Sequence, residues 1–161
     1  MKLRIGQSTD IHQLIDGSPI ILGGIEIESD KKIVAHSDGD ILIHAITEAL
    51  IGALAMRDLG NWFSDEDESE VGRDSYNMLR AVYDEMIKQG YSLCNIDSLI
   101  LIEKPILKNH IPLMKEKICR FLDIDDDQLN IKVTRGEKIG FVGRREGIVA
   151  QAIALIEKND G

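Results

Sequence analysis

The stretch Ala35-His36-Ser37-Asp38-Gly39-Asp40, running on into Ile41-Leu42-Ile43-His44-Ala45-Ile46-Thr47-Glu48-Ala49-Leu50, constrains this chain more than any other. Ser37 and Asp38 are residue types that cap helix N-termini, and Asp40 stands three residues after Ser37, approximating a capping box. The segment therefore reads as a loop that turns into a helix. Its first turn offers free N–H groups and the positive end of the helix dipole beside the imidazole of His36, an arrangement suited to an anion. His44 follows Asp40 by four residues, which puts a carboxylate and an imidazole on one face as a metal ligand and its orienting partner.

The 161 residues suit a single domain, 1–161, with a sizeable core. Aromatic residues make up only 4% of the chain, so that core must be built from Ile, Leu, Val and Ala. A net charge of -9 leaves no basic stripe for nucleic acid. If the substrate is a phosphate, its charge must be met by metals, helix ends and a few local Lys or Arg residues. Cys94 and Cys119 are isolated among apolar residues and read as reduced thiols. Met1 to Gly6 has no long apolar segment, and no run approaches the ~20 apolar residues of a membrane span. The expectation is a soluble, cytoplasmic protein.

Along the chain, residues 2–12 alternate as a strand, which points Asp10 and His12 to the same side as a pair available to a metal. Ile20-Ile21-Leu22 and Ile25-Glu26-Ile27 flank Gly23-Gly24, a two-residue hairpin signal. The helix after the opening motif is expected to end before Arg57-Asp58-Leu59-Gly60, with Gly60 as punctuation. Residues 61–74 form an acidic run that reads equally as a solvated loop or as a lid over a ligand. Ser75 is expected to cap an amphipathic helix whose inner face is Met78, Leu79, Val82, Tyr83, Met86 and Ile87, with Gly90 beyond its end. Leu93 to Ile102 reads as a buried strand. Asn109 is expected to cap a helix that carries Pro112 in its first turn and faces Ile111, Met114, Ile118 and Phe121 inward. Asp123, Asp125 and Asp127 imitate a calcium loop, but Gln128 stands where that loop needs Gly, and calcium is set aside. Leu129 to Thr134 is a strand whose exit carries Arg135-Gly136-Glu137-Lys138 and further glycines that let backbone approach a ligand. For the apolar run Gly147 to Ile156, strand and helix both fit.

Three of the four histidines, His12, His36 and His44, fall in the first third of the chain among Asp10, Asp38 and Asp40. Two His and one carboxylate with an open position is the donor set of a catalytic zinc site, and satisfied core or surface histidines are the alternative. His110, alone at a helix start, reads as structural. The chain contains no Walker A loop, no GxGxxG after a strand, no GxSxG elbow and no Cys nucleophile with a partner, which excludes the classes built on them.

Asp10-Ile11-His12, Ala35 to Asp40 with His44, Arg57-Asp58-Leu59-Gly60 with Phe63 and Asp65, Glu137-Lys138-Ile139-Gly140-Phe141 and Gly143-Arg144-Arg145-Glu146-Gly147 together resemble the 2-C-methyl-D-erythritol 2,4-cyclodiphosphate synthase family over nearly the whole chain. The resemblance implies an α+β fold with a mixed β-sheet packed against helices and a strand as the last segment. It further implies a homotrimer with the sheets facing the three-fold axis. The implied reaction belongs to the non-mevalonate isoprenoid pathway and cyclises 4-diphosphocytidyl-2-C-methyl-D-erythritol 2-phosphate with release of CMP. Asp10, His12 and His44 would hold zinc or another divalent metal, and Glu137 a second ion, magnesium or manganese, between the phosphates. His36, Arg135 and Glu137 fall at catalytic positions. Substrate contacts would come from Asp10, Ile11, His12, His36, Ser37, Asp58, Leu59, Gly60, Phe63, Ser64, Asp65, Glu66, Asp67, Thr134, Arg135, Gly136, Glu137, Phe141 and Arg144. Bringing phosphates together demands neutralisation and alignment, which two metals and a helix end supply in an acidic protein.

The sequence departs from the family at four places. Gln7-Ser8-Thr9 replaces a Gly-rich lead, and Phe63-Ser64-Asp65 replaces Phe-Pro-Asp. Pro105-Ile106 replaces Pro-Lys, leaving Lys104 or Lys108 to supply the charge in the nucleotide loop. Thr134-Arg135-Gly136-Glu137 replaces Thr-Thr-x-Glu. A metal-dependent phosphohydrolase using the same ligands and a noncatalytic zinc-stabilised module are the competing classes.

Overall fold

The computed structural model describes residues 2–35, 37–63 and 74–159. Alternation carries the first strand, β1, over Leu3–Asp16, four residues past the expected end. The hairpin β2 (Ile20–Leu22) and β3 (Ile25–Ile27) turns at Gly23 and Gly24, whose φ angles of 56° and 72° suit glycine. Strand β4 (Lys31–Ile33) leads to helix α1 (Ile41–Ala53), and the short helix α2 (Leu59–Trp62) follows. Helix α3 (Ser75–Lys88), strand β5 (Tyr91–Leu101), helix α4 (Ile111–Leu122), strand β6 (Leu129–Thr134), the short helix α5 (Gly140–Gly143) and strand β7 (Gly147–Lys158) complete the chain.

Five strands form one sheet in the order β4-β1-β7-β5-β6, with β5 and β6 parallel and the other pairs antiparallel. Helices pack on one side, as expected of an α+β fold with a mixed sheet. β7 is the central strand, and its Ile148, Ala150, Ala152, Ala154 and Ile156 are buried while Gln151 and Ile153 face outward. Pairing on both edges overrides the helix propensity of this Ala-rich run. Its small side chains let α1 sit close to β1 and β7. The approach is closest at Gly6, where an added Cβ would lie 1.9 Å from the carbonyl oxygen of Ala49 and 2.4 Å from the backbone nitrogen of Ala53. Only glycine fits there.

Three expected caps move by one residue or more. Asp40, not Ser37 or Asp38, caps α1 by accepting from Ile43 N–H. Asp74 caps α3, which leaves Ser75 inside the first turn. α4 starts after His110, not Asn109, without a side-chain cap. Ile87 is 49% exposed and does not belong to the inner face of α3. Gly60 lies inside α2 instead of ending a segment. The expected lid or solvated run at 61–74 is described only at its two ends. Among the described residues no helix is long and apolar enough to cross a membrane.

Candidate metal centre and nucleotide pocket

Alternation along β1 places Gly6, Ser8, Asp10, His12 and Leu14 on the side covered by α1. His44 lies on α1 and is 7% exposed. Strand and helix thus deliver three donor groups to one point: Asp10 Oδ1 lies 3.4 Å from His12 Nε2, and Asp10 Oδ2 lies 3.5 Å from His44 Nδ1. One donor atom from each of the three lies within 4.8 Å of the others. Burial pushes the Asp10 carboxyl upward, but hydrogen bonds and charge from His12 and His44 hold it well below the usual carboxylate range. His12 Nδ1 donates to the Val34 carbonyl at 2.7 Å, because a carbonyl can only accept, and Nε2 is the nitrogen that faces Asp10. Two imidazole nitrogens, one carboxylate and a carbonyl that orients a ring fit a divalent metal of the zinc type.

Asp40 does not orient His44. It is fully buried and accepts from Gly23 N–H at 2.9 Å, Gly24 N–H at 2.6 Å and Ile43 N–H at 3.2 Å, tying the hairpin to the start of α1. The i,i+4 relation fails because Asp40 is the cap and has not yet entered the helix. The nitrogen of His44 that points away from Asp10, Nε2, instead meets Ser75 Oγ at 2.8 Å and Ser37 Oγ at 3.2 Å. Sequence reasoning assigned Ser75 to a cap and missed this contact, which spans 31 residues.

A second missed residue is Glu48, one turn after His44 on α1. Its carboxylate accepts from Ser8 Oγ–H at 2.7 Å and from Leu59 N–H at 3.4 Å. It therefore links the strand that carries Asp10 to the turn that carries Asp58, Leu59, Gly60 and Phe63. An acid four residues after the ligand His on the same helix was the available signal. Asp58 caps α2, accepting from Asn61 N–H at 3.1 Å and Asn61 Nδ2 at 2.6 Å. His36, Ser64, Asp65, Glu66 and Asp67 lie outside the described residues.

The remaining expected residues gather elsewhere. Ile11 pairs with Val149, Val149 with Leu101 and Leu101 with Thr134. Thr134 is thus at the same level of the sheet as the metal donors but three strands away, on the order of 14 Å at the usual spacing. Beyond Thr134, Arg135 Nη2 donates to Glu103 Oε1 at 2.9 Å. Burial alone would raise the Glu103 carboxyl, but Arg135 and the backbone N–H groups of Lys138 and Gly136 hold it below its ordinary value. The pair lines a cavity of about 310 Å³ with Pro105, Ile106, Leu107 and Lys108. Glu137 takes a left-handed φ of 50° and is exposed, apart from the Asp10, His12 and His44 cluster. Phe141 is 40% exposed. Arg144 is engaged through Nε and Nη2 by both carboxylate oxygens of Glu146, each at 2.9 Å.

Known proteins resemble this chain in both sequence and fold. A relative from Geobacillus sp., 2-C-methyl-D-erythritol 2,4-cyclodiphosphate synthase, is 44% identical over 155 residues, covering 96% of this chain and 98% of that protein. The solved bifunctional IspDF of Campylobacter jejuni superposes with a TM-score of 0.94 at 33% identity, covering 99% of this chain and 43% of that longer one. A CDP complex of IspF from Plasmodium falciparum gives a TM-score of 0.86 at 30% identity, covering 98% of this chain and 97% of its own. The family model matches residues 3–157, and the chain belongs to the YgbB family.

Proposed function

We propose that this chain converts 4-diphosphocytidyl-2-C-methyl-D-erythritol 2-phosphate to 2-C-methyl-D-erythritol 2,4-cyclodiphosphate and CMP, as a lyase of the non-mevalonate isoprenoid pathway. The observation that carries the reading is the convergence of Asp10, His12 and His44 within 4.8 Å, in a chain 44% identical to a synthase of that name. In the reaction an oxygen of the 2-phosphate attacks the terminal phosphorus of the diphosphate. A new P–O bond forms, the bond from that phosphorus to the bridging oxygen breaks, and CMP leaves with the electron pair. Asp10, His12 and His44 would hold zinc or a similar divalent ion and Glu137 a magnesium or manganese ion, which would supply the positive charge that offsets the phosphates.

The chain's own residues align the groups. Asp10, His12 and His44 fix the attacked end, with Ile11 beside them, while His36, Ser37, Asp58, Leu59, Gly60, Phe63 and residues Ser64 to Asp67 would line the methylerythritol side. Thr134, Arg135, Gly136, Glu137, Phe141 and Arg144 would serve the nucleotide and its diphosphate, with the cavity at Pro105 and Ile106 taking the base. The relative from Plasmodium falciparum described as a CDP complex supports a cytidine ligand. Incubation with the diphosphocytidyl substrate should release CMP, and a chelator should stop it. Undiminished release from a metal-stripped protein would sink the proposal.

The two halves of such a site lie three strands apart in one chain, so we infer that neighbouring subunits join them in a homotrimer whose sheets face the three-fold axis. The sheet side away from the helices supports this, because Ile5 is 68% and Ile11 59% exposed, with Leu3 and Ile153 also bare. Monomers rarely leave such an apolar patch open. Sedimentation should report about three times the 18.0 kDa chain mass. A fully active monomer would contradict this. Free Cys94 and Cys119 accord with a cytoplasmic setting, where thiols stay reduced.

Arg135 stands where the family has a hydroxyl. We infer that it neutralises the diphosphate, partly offsetting the Lys replaced by Ile106. Half of its side chain is exposed beside the cavity, and Glu103 fixes its guanidinium there. Arg135→Thr should weaken CDP binding more at low salt than at high salt, since exposed charges are screened within about 10 Å at 0.1 M. Equal affinity of both forms at every ionic strength would remove Arg135 from the site.

A further inference from the structure

Asp38 and Ser75 stand behind His44, on the side away from Asp10 and His12. Three donors converge on the Asp38 carboxylate. Ser75 N–H reaches Oδ2 at 3.0 Å, Asp40 N–H reaches Oδ1 at 3.1 Å, and Ser75 Oγ makes a short hydrogen bond to Oδ1. Ser75 is itself fully buried, and its Oγ lies 2.8 Å from His44 Nε2.

A hydroxyl carries one proton. Asp38 is acceptor-only when ionised, so Ser75 commits that proton to the carboxylate and can meet His44 only as an acceptor. His44 then donates from Nε2, with Ser37 Oγ as a second neighbour at 3.2 Å, and Nδ1 is the nitrogen that faces Asp10 Oδ2 at 3.5 Å. His12 is set the opposite way, since its Nδ1 proton goes to the Val34 carbonyl and Nε2 faces Asp10 Oδ1 at 3.4 Å. The two imidazoles turn different nitrogens toward one point, and each choice is enforced from behind.

We infer that Asp38 and Ser75 are positioning residues which lock the tautomer and ring plane of His44, so that Nδ1 is preset as a metal donor. Through Ser75, the first turn of α3 thereby becomes part of the support of the metal centre. The inference rests on the metal reading proposed above and adds to it the residues that orient one ligand. Partners of this kind, hydrogen-bonded to the far nitrogen of a ligand His, typically change metal affinity about 10- to 100-fold when removed.

The test uses the full-length chain labelled with nitrogen-15 and freed of metal at pH 8.5, where imidazoles are ordinarily neutral. Long-range proton–nitrogen spectra should show His44 as the Nε2–H tautomer alone. Ser75→Ala and Asp38→Asn should both give a tautomer mixture. Their zinc affinity, read by competition with a chromogenic chelator, should fall about 10- to 100-fold, with helix content unchanged by circular dichroism. An Nδ1–H tautomer or a mixture in the wild type overturns the inference, and that reading needs no variant to fold. So does a wild-type tautomer and affinity preserved in both variants. Wild type that binds no zinc yet shows a pure Nε2–H tautomer lost in both variants would instead overturn the metal reading and leave the lock standing.

Discussion

His44→Ala should give a folded chain that retains no zinc and has lost turnover by about 10³-fold or more. That figure corresponds to several kcal/mol of transition-state charge stabilisation at 1.36 kcal/mol per decade. The expectation follows from arithmetic of ligands. Among the described residues, Asp10, His12 and His44 are the clustered donors, and removing one leaves two for a cation that takes three from protein in catalytic sites. His44 sits at the edge of the core, and its polar atoms point to Asp10, Ser37 and Ser75, so the apolar packing of α1 survives the loss. His12→Ala should behave alike, because its ring lies on β1 with part of its surface in solvent. Metal analysis, circular dichroism and CMP release together decide the matter. Stoichiometric zinc with full activity in either variant would remove the residue from the centre.

The second large effect falls on stability. Asp40→Ala should cost about 3–7 kcal/mol, a loss of the α1 cap at roughly 1 kcal/mol and two hairpin N–H groups left unsatisfied at about 1–3 kcal/mol each. Burial drives the Asp40 carboxyl above its ordinary value, while the N–H groups of Gly24, Gly23 and Ile43 pull it back. Those three donors come from segments about 20 residues apart, so the side chain fastens the hairpin to the helix that carries His44. Asp40→Asn should lose less, since one amide oxygen can keep two of the bonds while its NH2 faces a third donor. Urea unfolding checks both variants, and a change below about 1 kcal/mol in Asp40→Ala would show that water satisfies these groups instead.

These two residues also mark how far the sequence could be read. Asp10 and His12 were legible because period-two alternation is local, and Gly23-Gly24 was legible because a two-residue turn with positive φ has few solutions. His44 came within reach through the helix pattern. Asp40 was misread for a physical reason, since helical spacing holds inside a helix and the cap lies outside it. Ser75 looked like a cap because Ser is a cap type, whereas Asp74 one residue earlier does that work and frees Ser75 to turn inward. Its partners Asp38 and His44 are 37 and 31 residues away, and no local pattern encodes such a contact. The pairing of Arg135 with Glu103 was hidden in the same way, across 32 residues. In the last strand, alternation was masked because both faces carry apolar residues, one buried under α1 and one bare on the outer side of the sheet. Within the described residues Asp10, His12 and His44 come together as a possible metal site, and the sequence alone offered no means of seeing what holds their side chains in place.

In the proposed cyclisation one phosphate is directed onto another, whereas a hydrolase with the same three residues would direct water onto phosphorus. Turnover of the diphosphocytidyl substrate in water enriched in oxygen-18, followed by phosphorus NMR and mass spectrometry, tests this most directly. Cyclisation should yield a cyclic diphosphate and CMP in equal amounts, with no oxygen-18 in either. A linear product that carries oxygen-18 would contradict it and assign the same three ligands to a hydrolase.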